Sequence, residues 1–403
     1  MSNFYISKLK AWNFKSFKHL EIDLDNFNII IGANSSGKSN LISIFQFIRD
    51  IIDNGVENAI SLQGGTEYMF NINSKDENMG IEFELKYNPP LTFRYNLNGN
   101  RRTKSDESTS VKSFTYTIEF TVYKKNRKLK KFCERLAINT DGEALNIMNL
   151  NGKISTDDQS GYLNNFMNPI VKLLSKRVLT DTSILSMFPL PIIPFFDKSG
   201  IPQVFDIDPK LSKHAIPLSG LVDLESDGSN IALVLHNLIK DREKSRKLIG
   251  LLNTCMPFIE NINVESQLDK SIIINVYERY NNKISLPATF VSDGTIEILA
   301  LIYILYFEKR KIIAIEEVEK NIHPSLIARV MELIKDSSIA KQIIITTHSP
   351  EIIKNADIKN IILIKRDSEG NSFIVRPSTA KDLQIFLQQN IGISELFTDG
   401  FLN

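Results

Sequence analysis

Apolar and polar positions along this chain change period several times, and each change predicts a different kind of element. Phe4–Trp12 and His19–Leu24 alternate as two strands around the turn Asn13–Lys18 (NFKSFK). The uninterrupted run Phe27–Ile31 (FNIII) reads as a buried strand, and Asn40–Asp50 reads as an amphipathic helix. Ile60–Asn71 carries a Gly64–Gly65 turn signal. From Met79 to about Ile147 the period is mostly two (GIEFELKY, LTFRYNL, SFTYTIEFTVY, FCERLAI), which predicts an antiparallel sheet. The polar stretch Asn149–Ser160, with turn signals at Asn151–Gly152 and Asp157–Asp158, is expected to form a seam between subunits of the fold. From Tyr162 to Glu260 the pattern is helical, broken at Pro189–Pro194 and Gly200–Ser219, with its clearest helix at Ser229–Ile239. Ile272–Tyr277 and Ile284–Phe290 return to strand. The final residues alternate helix and strand, which predicts a parallel sheet. The fold class expected is α/β, with an antiparallel β lobe and a mostly helical insertion. Its divisions fall at 1–160, 161–270 and 271–403.

The strand–helix junction at Gly32–Ser39 (GANSSGKS) fits G-x-x-x-x-G-K-[ST] at every fixed position. Glycines let consecutive backbone N–H groups turn inward to phosphate oxygens, and the helix N-terminus adds partial positive charge. Lys38 is expected at the outer phosphates and Ser39 at Mg²⁺. Gly32, Ala33, Asn34, Ser35, Ser36, Gly37, Lys38, Ser39 and Asn40 are the expected nucleotide-binding residues, for a nucleoside triphosphate.

Composition and charge narrow the picture. Of 403 residues, 42% are hydrophobic and 24% charged, the proportions of a globular protein. The net charge of +1 gives no global field for nucleic acid or membrane. Cys133 and Cys255 form no C-x-x-C pair, and His19, His214, His236, His323 and His348 show no metal spacing. The stretch MSNFYISKLKAW lacks the continuous apolar core of a signal peptide, and the longest apolar run, Ile298–Phe307, spans 10 residues. A cytoplasmic protein without a membrane partner is expected. Lys124–Lys131 (KKNRKLKK) is a candidate DNA contact or simply a solvated turn.

Three downstream stretches carry chemistry. Val291–Thr295 (VSDGT) opens an apolar helix with a hydroxyl and free N–H groups, suited either to capping or to an anion. Lys311–Glu319 (KIIAIEEVE) is a buried strand ending in carboxylates, where Glu316 would hold Mg²⁺ and Glu317 would act as base. Ile343–Pro350 (IIITTHSP) ends a buried strand at His348, within reach of a γ-phosphate or serving as a cap.

The set NFKSF at Asn13–Phe17, GANSSGKSN at Gly32–Asn40, LQGG at Leu62–Gly65, SDGT at Ser292–Thr295, IEEVE at Ile315–Glu319, NIHP at Asn321–Pro324 and TTHSP at Thr346–Pro350 resembles the ABC-type AAA ATPases of the RecF, OLD-nuclease and SMC group. The likeness covers about 1–90 and 285–403. It implies an ATPase with catalytic Lys38, Glu317 and His348, and Mg²⁺ held by Ser39, Gln63 and Glu316. It also implies that Ser292, Asp293 and Gly294 contact ATP on the second subunit of a homodimer, and that Asn321–Pro324 couples the two sites. The chain departs from relatives with long coiled coils or an appended TOPRIM nuclease. The resemblance therefore implies either a DNA-repair or anti-phage ATPase working through a separate nuclease or toxin, or a slow ATP-gated sensor or scaffold.

Overall fold

The computed structural model describes residues 3–95, 107–123, 125, 127–140, 144–158, 183–187, 202–220, 223–280 and 284–379. Its centre is a six-stranded sheet in the order Ser372–Val375, Ile361–Arg366, Phe27–Ile31, Gln342–Thr346, Ile312–Ile315 and Gln203–Phe205. All neighbours run parallel except the first pair. Successive side chains on a strand point to opposite faces, so each central strand feeds two cores. Ile30, Ile312, Ala314, Ile344 and Ile362 enter one core. Ile29, Ile313, Ile315, Ile343 and Ile345 enter the other. Runs of isoleucine suit this double burial because β-branched side chains pack well on a pleated surface.

The first core lies between this sheet, the helix Lys38–Asn54 and a seven-stranded antiparallel sheet. That second sheet runs in the order Phe17–Asp23, Asn3–Phe14, Asn78–Tyr95, Glu107–Val122, Leu129–Thr140, Leu145–Leu150 and Lys153–Asp158. The helix docks on it through Phe47, whose ring lies 6.0 Å from Phe14 and 5.8 Å from Phe120. Gln342 ties the two sheets together: its amide accepts from Ile6 N at 2.8 Å and donates to the carbonyls of Ile6 and Asp25. Deeper in the lobe, the buried Glu134 carboxylate accepts from Tyr116, Asn149, Ser183 and the Ile184 amide, which fastens the short helix Ile184–Met187.

The second core is covered by the helices Ile231–Ile239, Arg242–Cys255, Asp293–Tyr306 and Pro324–Ser337. A small antiparallel sheet built on Ser271–Glu278 closes its end. Asp293–Tyr306 is buried from Thr295 to Leu305, so it is apolar on every side rather than along one stripe.

Gln203–Phe205 falls inside the segment 161–270, which was expected as a mostly helical insertion with an irregular break from Gly200 to Ser219. It is instead an edge strand of the central sheet, paired in parallel with Ile313–Ile315. Three residues are too few for periodicity to reveal, and the strand exists because Ile312–Ile315 offers it an open edge. The proline cluster Pro189–Pro194 lies outside the described residues.

Candidate functional site

Parallel strands present their C-terminal ends on one edge, and the site is built there. Phe27–Ile31 delivers the chain into the phosphate loop, where Ser35 takes φ 63° and Gly37 takes φ 117°. The Ser36 amide donates to the Ala33 carbonyl at 3.1 Å, and the helix starts at Lys38. A side chain at Gly37 would be strained at that φ. Its Cβ would also collide with Ser372 Oγ and lie 2.9 Å from Ser16 Oγ, so only glycine fits. Lys38 is buried, and its ammonium donates to the carbonyls of Gly32 and Ala33, both at 2.9 Å. Burial lowers its pKa, opposed by the carboxylates of Glu317 and Glu319. Asn34, Ser35 and Ser39 are exposed along the rim of the loop, and Asn40 donates to Ser16 Oγ at 2.7 Å.

The neighbouring strand, Ile312–Ile315, ends at the acidic pair. The Glu316 carboxyl lies beside Ser39; its pKa is raised by burial and then by Asp206, and Ser39 opposes this. The Glu316 amide donates to the Phe205 carbonyl at 2.8 Å, which brings the end of the edge strand alongside. Glu317 turns into the left-handed region at φ 45°, and its amide donates to Thr346 Oγ1 at 2.9 Å. A non-glycine residue held there stores local strain, a feature concentrated at functional sites. His348 stands across from it, with Nε2 3.9 Å from Glu317 Oε1. The His348 backbone amide donates to Glu319 Oε1 at 2.7 Å. Burial, then Lys38, lowers the His348 pKa against the opposing pull of Glu317 and Glu319, which favours the neutral imidazole. Oxygen donors from Ser39 and Glu316, which lie side by side, match the preference of Mg²⁺ for hard ligands.

Lys38, Ser39, Glu316, Glu317 and His348 are thus brought together. Gln63 is not. It follows the helix Val56–Leu62, and its side chain lies beside Asp50. Asp50 is 11 residues beyond Ser39 on the same helix (50 − 39), a separation of about 16 Å at 1.5 Å per residue. The Gly64–Gly65 turn, with φ 88° and 89°, keeps this segment folded on itself. Ser292 caps its helix by accepting from the Thr295 amide at 3.2 Å, Asp293 pairs with Lys213, and Gly294 abuts the Asn321 carbonyl. The SDGT stretch therefore reaches the acidic loop through Asn321, not through the phosphate loop.

Four further residues contribute to the site: Lys15, Ser16, Ser372 and Asp206. Lys15 is half-buried near Glu316; burial lowers its pKa and Glu316 opposes this. Ser16 and Ser36 are bridged by Ser372, whose hydroxyl donates to the Ser36 carbonyl at 2.5 Å and bonds Ser16 Oγ at 2.8 Å. Asp206 sits at the end of the edge strand, paired with Lys320 at 3.2 Å. The NFKSF turn hinted at the first two; Asp206 depended on a strand that the sequence pattern does not reveal. In the basic run, Arg127 donates to the Ser74 carbonyl at 2.9 Å and lies 5.7 Å from the Phe70 ring centroid. That arginine fastens the hairpin to the lobe. Among the described residues no helix is long and apolar enough to cross a membrane.

Comparison with known proteins places this geometry. A family described as "AAA domain, putative AbiEii toxin, Type IV TA system" matches residues 27–354. The "ATP/GTP phosphatase" of Helicobacter pylori (strain ATCC 700392 / 26695) is 23% identical over 376 residues, which is 87% of this chain and 87% of that protein. The "DNA replication and repair protein RecF" of Rickettsia typhi (strain ATCC VR-144 / Wilmington) is 23% identical over 266 residues, covering 62% of this chain and 71% of its own. Among solved structures, an SMC head bound to the C-winged helix domain of ScpA gives a TM-score of 0.52 at 18% identity, over 92% of this chain and 97% of the other.

Proposed function

The chain belongs to the AAA-domain family of putative AbiEii toxins of type IV toxin–antitoxin systems and is an ATPase of the ABC type, similar to RecF and SMC heads; from that premise we propose that it hydrolyses ATP between two copies of itself. The observation that carries this reading is the placement of the Glu316 carboxyl beside Ser39. It joins the phosphate loop to an acidic strand end 277 residues later (316 − 39), and fold rather than chance proximity produces it.

In this reading the loop Gly32–Asn40 cradles the phosphates with its amides, and Lys38 turns from its loop carbonyls to the outer phosphate oxygens. Ser39 and Glu316 hold Mg²⁺, which when bound neutralises charge on the phosphate oxygens. Glu317 orients water for in-line attack on the γ-phosphorus and accepts its proton. Neutral His348 donates a hydrogen bond to the γ-phosphate. Gln63 is left out of this assignment, because it lies beside Asp50, away from Ser39.

Ser292, Asp293 and Gly294 are assigned to ATP held by the second copy, where the capped helix start offers free N–H groups to the γ-phosphate. Closing and opening of the pair would drive or gate a DNA-related process in defence or repair through a separate nuclease or toxin. The toxin in the family's description and the repair role in RecF's name support that assignment.

Mixing two dead variants tests the shared site. Lys38→Ala and Ser292→Arg homodimers each lose both sites, whereas a mixed dimer keeps one. Random mixing makes about half the dimers mixed, so activity should return to about a quarter of wild type. Absence of both activity and an ATP-dependent mixed dimer in light scattering would remove the two-fold arrangement.

A further inference from the structure

Ser372 opens the edge strand Ser372–Val375 and is only 2% exposed. Its hydroxyl donates to the Ser36 carbonyl at 2.5 Å and meets Ser16 Oγ at 2.8 Å, and Ser16 Oγ accepts from Asn40 Nδ2 at 2.7 Å. A hydroxyl has one proton to give. With the Ser372 proton on the Ser36 carbonyl, Ser16 must donate to Ser372. The chain therefore runs one way, from Asn40 through Ser16 and Ser372 to the phosphate loop. The Ser372 amide also donates to the Ser16 carbonyl at 2.7 Å, which joins the two segments independently of either hydroxyl.

The hairpin that carries Ser372 is stiffened at its turn. There the Asp367 carboxylate accepts from the amides of Glu369 at 2.9 Å and Asn371 at 2.7 Å, and the Asp367 amide donates to the Asn371 carbonyl at 2.9 Å. Arg366, on the other strand, donates through Nε to the Ser35 carbonyl at 2.8 Å. Two successive carbonyls of the phosphate loop, Ser35 and Ser36, are thus drawn toward one hairpin. In a trans peptide the N–H points opposite to the carbonyl it shares. The Ser36 N–H accordingly turns across the loop to the Ala33 carbonyl at 3.1 Å, and the Gly37 N–H faces away from the hairpin.

The loop does not choose this orientation by itself. Turning over the Ser36–Gly37 peptide changes chiefly ψ of Ser36 and φ of Gly37, and a glycine accepts φ of either sign. We propose that Ser372 is a positioning residue that locks this peptide with the Gly37 N–H toward the phosphates of the bound nucleotide. Ser16 and Asn40 orient its proton, and Arg366 holds the adjoining peptide. This role rests on the phosphate-loop reading above. The group it serves is the phosphate chain common to ATP and ADP, because a backbone N–H in such a loop meets phosphate oxygens and not the base.

Two measurements test the lock, one with nucleotide and one without. In isothermal titration Ser372→Ala should raise the Kd for both ATP and ADP about tenfold at unchanged stoichiometry. Ser16→Ala should raise it about threefold, since Ser372 keeps its own proton, and the double variant should match Ser372→Ala. An unchanged Kd in Ser372→Ala would overturn the lock. So would a fall in stoichiometry alone, which is what loss of folded protein gives, or a double variant clearly weaker than Ser372→Ala. In the nucleotide-free protein, ¹⁵N relaxation dispersion at the Gly37 amide should be flat in wild type and appear in Ser372→Ala, as the released peptide turns over on the microsecond-to-millisecond scale. A flat profile in the variant would also overturn the lock. Wild-type protein that binds neither nucleotide would instead fail the phosphate-loop reading, and the relaxation result would still decide whether Ser372 holds the peptide.

Discussion

Replacing Glu297 by Gln should stabilise the protein, and more so as the pH rises. The carboxyl is 6% exposed, and burial pushes its pKa from the ordinary 4.5 of a glutamate up to about 8. Between those values the folded protein holds a proton that the unfolded chain has released. The unfolded state therefore binds fewer protons, and stability falls with rising pH from about 4.5 to about 8, then levels. At 1.36 kcal/mol per unit the full effect is about 5 kcal/mol. Gln has no proton to lose, so the difference between the two proteins isolates this group. Urea unfolding midpoints measured from pH 5.5 to 8.5 should diverge by about 3 kcal/mol, the part of the curve that window covers. Parallel stability curves would refute the reasoning, because they would mean that the Glu297 pKa is the same in both states.

The other predictions are shorter. Wild type should gain about 2.7 kcal/mol of stability at 100-fold excess of ATP over Kd, and Lys38→Ala should gain none in the same melting assay. Gln63→Ala should leave ATP hydrolysis within about twofold of wild type, since Gln63 lies beside Asp50 and not beside the metal ligands; a larger fall in kcat would return it to the site. Gly37→Ala should abolish ATP binding by isothermal titration, because φ 117° and the Ser372 hydroxyl leave no room for a methyl group.

How much of this was legible in the sequence depends on how far each signal reaches along the chain. Phe27–Ile31, Lys311–Glu319 and Ile343–Pro350 announce themselves because a doubly buried strand must be apolar at every position and its end must change abruptly to polar chemistry. The central sheet and five of its site residues follow from that. Gln203–Phe205 does not, since three residues carry no period, and with it went Asp206. Gln63 was placed by likeness of a four-residue stretch, and the helix before it carried it away along Lys38–Asn54. Glu297 stayed hidden for the opposite reason: one acidic residue inside an apolar helix reads as solvent-facing until packing shows that every side is covered. The partners of Glu134 illustrate the same limit, because Ser183 and Ile184 meet it from a segment whose sequence gives no reason to dock there.

The central claim is that Glu317, set at φ 45° and 3.9 Å from His348, is the base that hydrolyses ATP. Phosphate release by wild type and by Glu317→Gln, with nucleotide occupancy and dimer mass followed in the same samples, tests it most directly. The variant should release phosphate about 10²–10⁴-fold more slowly while ATP stays bound and the ATP-held dimer accumulates. Phosphate release at the wild-type rate from Glu317→Gln would contradict it.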